Sequence, residues 1–328
     1  MQNNVPIVRV TIDGMVTHDI IAIKVRHLGY YGADRFMVDI PLGLTAAMDA
    51  NYFNTLGSAE ITVEVIVPSS VSLILFIGQI DNVRIDILDR TVQLCGRDLS
   101  ARLIDTEISE AFLNQTSSQI VQLIAARHGL TPNVTPTSTS VGQYYELDHA
   151  RSVLGINSRS GSEWDLLSRL AQLENFDLSV TGTVLNFNMN TAQSPLALNV
   201  HDCINLYIDV AKTLPVSTSV KSWNTRSKNV ISESSGIAIG ASASLIKPNL
   251  TTGQAQELVK YHQKCLMQHS SILIAKMPGE LDLMPAIPVF LYGTESTLDQ
   301  VYMIDSVVRE ITTDQGFVQT LRAHALIN

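Results

Sequence analysis

Charge is what this sequence has least of. Only 16% of its 328 residues are Asp, Glu, Lys or Arg, against 45% hydrophobic residues, so part of the apolar surface is expected to meet other chains. The scarcer sign is positive: 22 Lys and Arg stand against 31 Asp and Glu, a formal net charge of -9. A protein that grips nucleic-acid phosphates needs the reverse balance, because such binding works by displacing counterions with Lys and Arg. A surface past which DNA slides is compatible with the acidity. Cysteine is scarce too. Cys95, Cys203 and Cys265 lie far apart with no CxxC, which excludes a disulfide framework and predicts reduced thiols in a cytoplasmically assembled chain. The longest apolar run, "LILFIG" from Leu73, falls well short of the roughly 20 residues that cross a bilayer and reads as a buried strand. The opening "MQNNVPIVRV" has neither the basic start nor the apolar core of a secretory leader. Two Trp residues leave little for an aromatic sugar-binding platform.

What is present is strand texture at both ends and helices between. Residues 5 to 100 read as β structure, in runs such as "IVRVTIDG", "RFMVDIP" and "AEITVEVIVP" broken by Gly, Pro or Asp turns. Three helices follow with one starting chemistry, a capping box: Thr116 with Gln119, Ser160 with Glu163, and Thr251 with Gln254. The segments "FDLSVTG" and "TVLNFNM" predict a hairpin that closes a small α/β domain. From "INLYIDV" onward the β texture returns. The predicted class is α+β, with a β domain over 1–100 and an α/β domain over 101–198. A second β domain is expected over 199–235 and 285–328, interrupted by a helix-containing insertion over 236–284.

One internal similarity stands out. Ile80-Asp81-Asn82-Val83 follows an apolar strand and Gly78; Ile304-Asp305-Ser306-Val307 follows "VFLYG". Each is succeeded by a turn and a second strand. The shared I-D-x-V over Ile80, Asp81, Val83 and Ile304, Asp305, Val307 suggests one β domain present twice.

Chemistry is harder to find. His262, Cys265 and His269 stand at i, i+3 and i+7, so one helical face could offer three zinc-competent ligands. Without HExxH or CxxC, a core or interface stripe is the preferred reading. Asp148-His149 beside Tyr144 and Tyr145 is a poor dyad, because adjacent side chains diverge. Neither a GxSxG elbow nor a GxxxxGK[ST] phosphate cradle occurs. No catalytic residue, metal or cofactor is assigned. In "CGRDLSARLID", Arg97 and Asp98 read as a hinge between the first β domain and the helices, satisfying backbone groups and each other.

The order of these segments resembles the baseplate hub proteins of contractile-tailed phages, the late control protein D family, and is similar to the hub part of type VI secretion spike proteins. The residues that carry the resemblance are "GQIDNVRID" with "LCGRDLSARLID", then "TSSQIVQLIAARHGL", "SGSEWDLLSRLAQLENFDLSVTGTVLNF", "VKSWN" and "YGTESTLDQVYMIDSVVREITTDQGFVQTLRA". The segment "ISESSGIAIGASASLIKP" has no match in that pattern. The resemblance implies two tube-like antiparallel β-barrel domains per chain and a homotrimer with six similar units. Such a ring matches a sixfold tail tube to a threefold central spike, binds other baseplate proteins and leaves a channel for DNA. It implies a place in the virion, after assembly in the host cytoplasm. The competing reading from another class is a tail-tip peptidoglycan hydrolase, which requires a further compact domain with a catalytic constellation.

Overall fold

The computed structural model describes residues 6–29, 31–43, 48–66, 72–108, 112, 115–141, 161–189, 193–212, 217–224, 228–236, 242–267 and 271–326. Its first β unit comprises β1 (Ile7–Ile12), β2 (Met15–Thr17), β3 (Ala22–Leu28), β4 (Arg35–Pro41), β5 (Glu60–Ile66), β6 (Ser72–Asp86) and β7 (Thr91–Asp98), with α1 (Ala50–Thr55) before β5. Alternation puts one side chain in two on the inner face. In β5 those are Ile61, Val63 and Val65, all fully buried, packed with Val10, Val38 and Leu94. Asp13 and Gly14, both at positive φ, form the two-residue turn that sets the β1–β2 register.

A helical segment follows: α2 (Ser100–Ile104), α3 (Ser117–Arg127), β8 (Thr131–Val134), α4 (Glu163–Glu174), β9 (Phe176–Thr181) and β10 (Val184–Met189). The expected hairpin is β9 against β10, and β8 adds to β10 in parallel. Helical spacing on α3 places Ile120, Val121 and Ile124 on one side, where they are buried in a common core with Leu166, Leu167 and Leu170 of α4. Thr116 and Gln119 make the predicted reciprocal cap. The cap of α4 is Ser162, accepting from the Asp165 amide, where the sequence suggests Ser160; Ser160 lies outside the described residues, as do Tyr144, Tyr145, Asp148 and His149.

The remaining elements are β11 (Leu196–Asn199), β12 (Asn205–Val210), β13 (Ser217–Asn224), β14 (Asn229–Gly236), β15 (Ser242–Ile246), α5 (Thr252–Met267), β16 (Ser271–Pro278), β17 (Pro288–Tyr292), β18 (Val301–Thr312) and β19 (Gly316–Ala325). Thr251 and Gln254 cap α5 reciprocally. Strand pairing redraws the expected insertion. β13 pairs with β14 and β15 in a separate sheet, whose Val220 packs with Leu258 and Val259 of α5, whereas β16 joins β12 and β19. Alternation reports that a strand has a buried face; it does not report which strand lies beside it.

Among the described residues, strands of both ends form one 13-stranded sheet, in the order β12-β16-β19-β18-β3-β4-β7-β6-β5-β1-β2, with β17 on β18 and β11 on β17. The sheet is antiparallel apart from the β11–β17 pair. No helix among the described residues is long and apolar enough to cross a membrane.

Candidate assembly interface

The two I-D-x-V segments fall at the same place in two hairpins. Along β6–β7, Ile80 faces Gly96 and Asn82 faces Cys95, which leaves Asp81 as an extra residue. Along β18–β19, Ile304 faces Ala323 and Ser306 faces Arg322, which leaves Asp305. Each Asp therefore occupies a β-bulge, where the strand bends and twists more strongly. Each is also bound by a basic side chain one residue beyond the bulge partner. Arg97 forks onto Asp81 at 2.6 and 2.9 Å; His324 Nδ1 lies 2.5 Å from Asp305.

The strand order repeats as well. In the first unit it runs β3-β4-β7-β6-β5-β1, and in the second β12-β16-β19-β18-β17-β11. Pro41 and Pro278 end the corresponding strands β4 and β16. The repeat departs at its far end, where β1 is antiparallel to β5 but β11 is parallel to β17.

β18 is long enough to hold two neighbours on one edge. Its first residues pair with β17, and Ser306 to Thr312 pair with β3, the outermost strand of the first unit's order. On the buried side of this joint Ile23, Val25 and His27 meet Ile311, Arg309 and Val307. Arg309 is only 1% exposed. Its guanidinium donates to the carbonyls of Leu283 (2.6 Å), Glu280 (3.1 Å) and Leu281 (3.1 Å), and burial draws its pKa down to about 10, still charged at neutral pH. On the outer side Lys24 and Glu310 pair at 2.7 Å.

Arg97 and Asp98 do not bind each other, because neighbours on a strand point to opposite faces. Besides Asp81, Arg97 reaches Asp105 beyond α2 at 2.9 and 3.1 Å. Its hydrogen bonds to Asp81 first and Asp105 second raise its pKa. Asp98, 4% exposed, accepts from the amides of Ser100 (3.1 Å) and Asp34 (3.2 Å) and from the Ser100 hydroxyl. Burial, with Asp34 close by, pushes its pKa up to about 7. Asp34 in turn accepts from the Leu28 amide and lies 2.7 Å from His27 Nδ1. The two residues thus tie β7 to the bulge, to α2 and to the β3–β4 connection. A second tie comes from Tyr31: its carbonyl accepts from Trp164 Nε1 (2.9 Å), and its hydroxyl donates to the Phe176 carbonyl (3.0 Å). Nothing in the sequence signals Asp34 or Arg309, since both read as ordinary surface charges.

His262 and Cys265 sit half-buried on α5. Burial pushes the imidazole pKa down and the thiol pKa up. His269 lies outside the described residues, among which no group of three His, Cys, Asp or Glu gathers. All three cysteines are free.

No protein-family profile matches the chain. No curated protein matches it in sequence. Solved structures do. The 43 kDa tail protein of a prophage from Shewanella oneidensis superposes with a TM-score of 0.74 at 16% identity, over 98% of each chain. The chain has a phage tail-protein fold. A tail protein from Neisseria meningitidis matches over 98% of this chain and 96% of its own, with a TM-score of 0.70 and 13% identity. An Escherichia coli component of the type VI secretion system, itself similar to T4 phage tail proteins, matches at 0.61 and 12% identity, over 97% of this chain and 77% of its own.

Proposed function

We propose that this protein is the structural baseplate hub of a phage or phage-like tail, built into the virion in the host cytoplasm, with no catalytic role. The observation that carries the reading is the repeated strand order with a bulged, base-bound Asp in each copy. Two similar β units per chain give six per homotrimer, each curled as part of a tube. Such a ring offers sixfold contacts to a tail tube on one side and threefold contacts to a central spike on the other, and the remaining faces serve other baseplate proteins. Arg97 and Asp98 act as the hinge from which the helical unit is hung. The net charge of -9 suits a channel that DNA crosses without sticking. Likeness to tail proteins and to a secretion-system component supports this reading over the hydrolase.

Quantitative mass spectrometry of purified tails, with antibody-gold labelling, tests it. Three copies per particle at the tip are expected; six copies, a distribution along the tube, or absence from the particle would overturn it.

A further inference from the structure

Among the described residues, the chain displays, unpaired, both halves of the joint that it makes once internally. In the second unit the edge of β18 from Ser306 to Thr312 is covered by β3. Its counterpart in the first unit is the end of β6, which pairs with β7 on one side, while the pairing with β5 stops at Gln79 on the other. The counterpart of β3 is β12, which pairs only with β16 among the described strands. Open strand edges carry a row of unpaired N–H and C=O groups. Resting on the ring reading above, we infer that β12 of one copy adds to the end of β6 in a second copy, in the register that the internal joint dictates.

That register follows from the pairings. Val25 connects through Phe36 and Gly96 to Ile80, as Ile208 does through Leu273 and Ala323 to Ile304. Val25 therefore corresponds to Ile208, and Ile80 to Ile304. The internal pair Arg309↔Val25 translates to Ile85↔Ile208 between copies. Val307↔His27 becomes Val83↔Val210, while Ile87, which this count sets opposite Leu206, already lies in the turn beyond the end of β6. Every inward pair is apolar on both sides.

Burial agrees with a missing neighbour. Ile23, Val25 and His27 are 1%, 0% and 4% exposed within the internal joint, whereas their counterparts Leu206 and Ile208 are only half-buried and Val210 is 46% exposed. Val83 and Ile85 also line an open cleft of about 240 Å³ with Phe53 and Leu56, directly beside the free edge. On the outer face, Val308↔Arg26 translates to Arg84↔Asp209, two exposed residues of opposite charge brought face to face. Opposite charges at directly paired positions stabilise an antiparallel joint, and like charges weaken it. Because the two edges lie on different units, the contact is head-to-tail and generates a ring when its rotation closes.

Charge exchange on the full chain tests the joint. Assembly is followed by sedimentation velocity across a concentration series. Arg84→Asp and Asp209→Arg alone are each expected to raise the concentration for half-assembly about tenfold, and the double exchange to restore most of that loss. Both sites are exposed, and circular dichroism checks that the single variants fold. Single variants that assemble like the parent, or a double exchange no better than the singles, would overturn this joint while leaving the ring intact. A parent chain monomeric up to its solubility limit would overturn the ring reading itself.

Discussion

At neutral pH the Asp98 carboxyl is near the midpoint of its titration, because burial first and Asp34 second have raised its pKa from 3.8 to about 7. The unfolded chain releases that proton around pH 4. Between these values the native state holds more protons, so the group's contribution is fully present below pH 4 and is lost as pH rises through 7. Asp98→Asn should remove this dependence. Relative to the parent, its stability in urea should improve from pH 5 to pH 8 by about 3 kcal/mol; a constant difference would place the titrating group elsewhere. Arg309 makes a second residue-level case. Its carbonyl partners lose their donors in Arg309→Ala, and the expected loss is about 3 kcal/mol or more by urea denaturation. Arg309→Met, which refills the volume, should cost less. The sequence singles out Arg97 and Asp98 but suggests that they bind each other; their adjacency on a strand already argues for opposite faces. Arg309 is illegible, since an arginine inside an alternating strand reads as solvent-facing until a neighbouring strand covers it.

Elements are most legible where local chemistry decides them. The caps at Thr116 and Thr251 form as the spacing predicts, because a capping box is satisfied within four residues. Thr116→Ala should cost about 1 kcal/mol in thermal or urea unfolding. Strand existence is legible from alternation, while strand partners are not: β13, expected in the second β domain, pairs in a separate sheet, and β16, from the expected helix-containing insertion, joins β12 and β19. Bulges are equally hidden, since only the pairing reveals that Asp81 and Asp305 are extra residues. Gly96 marks one of them. A Cβ there would meet the Gln79 carbonyl oxygen well inside contact distance, so Gly96→Ala should destabilise the β6–β7 hairpin by about 2 kcal/mol. Faster hydrogen exchange in Thr91–Asp98 than in β19 of the same variant would localise the damage; uniform exchange would not.

For the whole molecule, the resemblance in segment order and the tail-protein fold agree, although no family profile and no curated sequence matches. Fold survives at 16% identity because it needs the alternation, the caps and the core volumes rather than particular side chains. The edges of β6 and β12 that no other described strand covers are beyond the sequence, for an edge is defined by what fails to lie beside it. Averaged electron images of the purified chain at high concentration test the hub account most directly. The account predicts a threefold ring of six similar lobes around a hole wide enough for duplex DNA. A closed twofold dimer, or particles without a central opening, would contradict it.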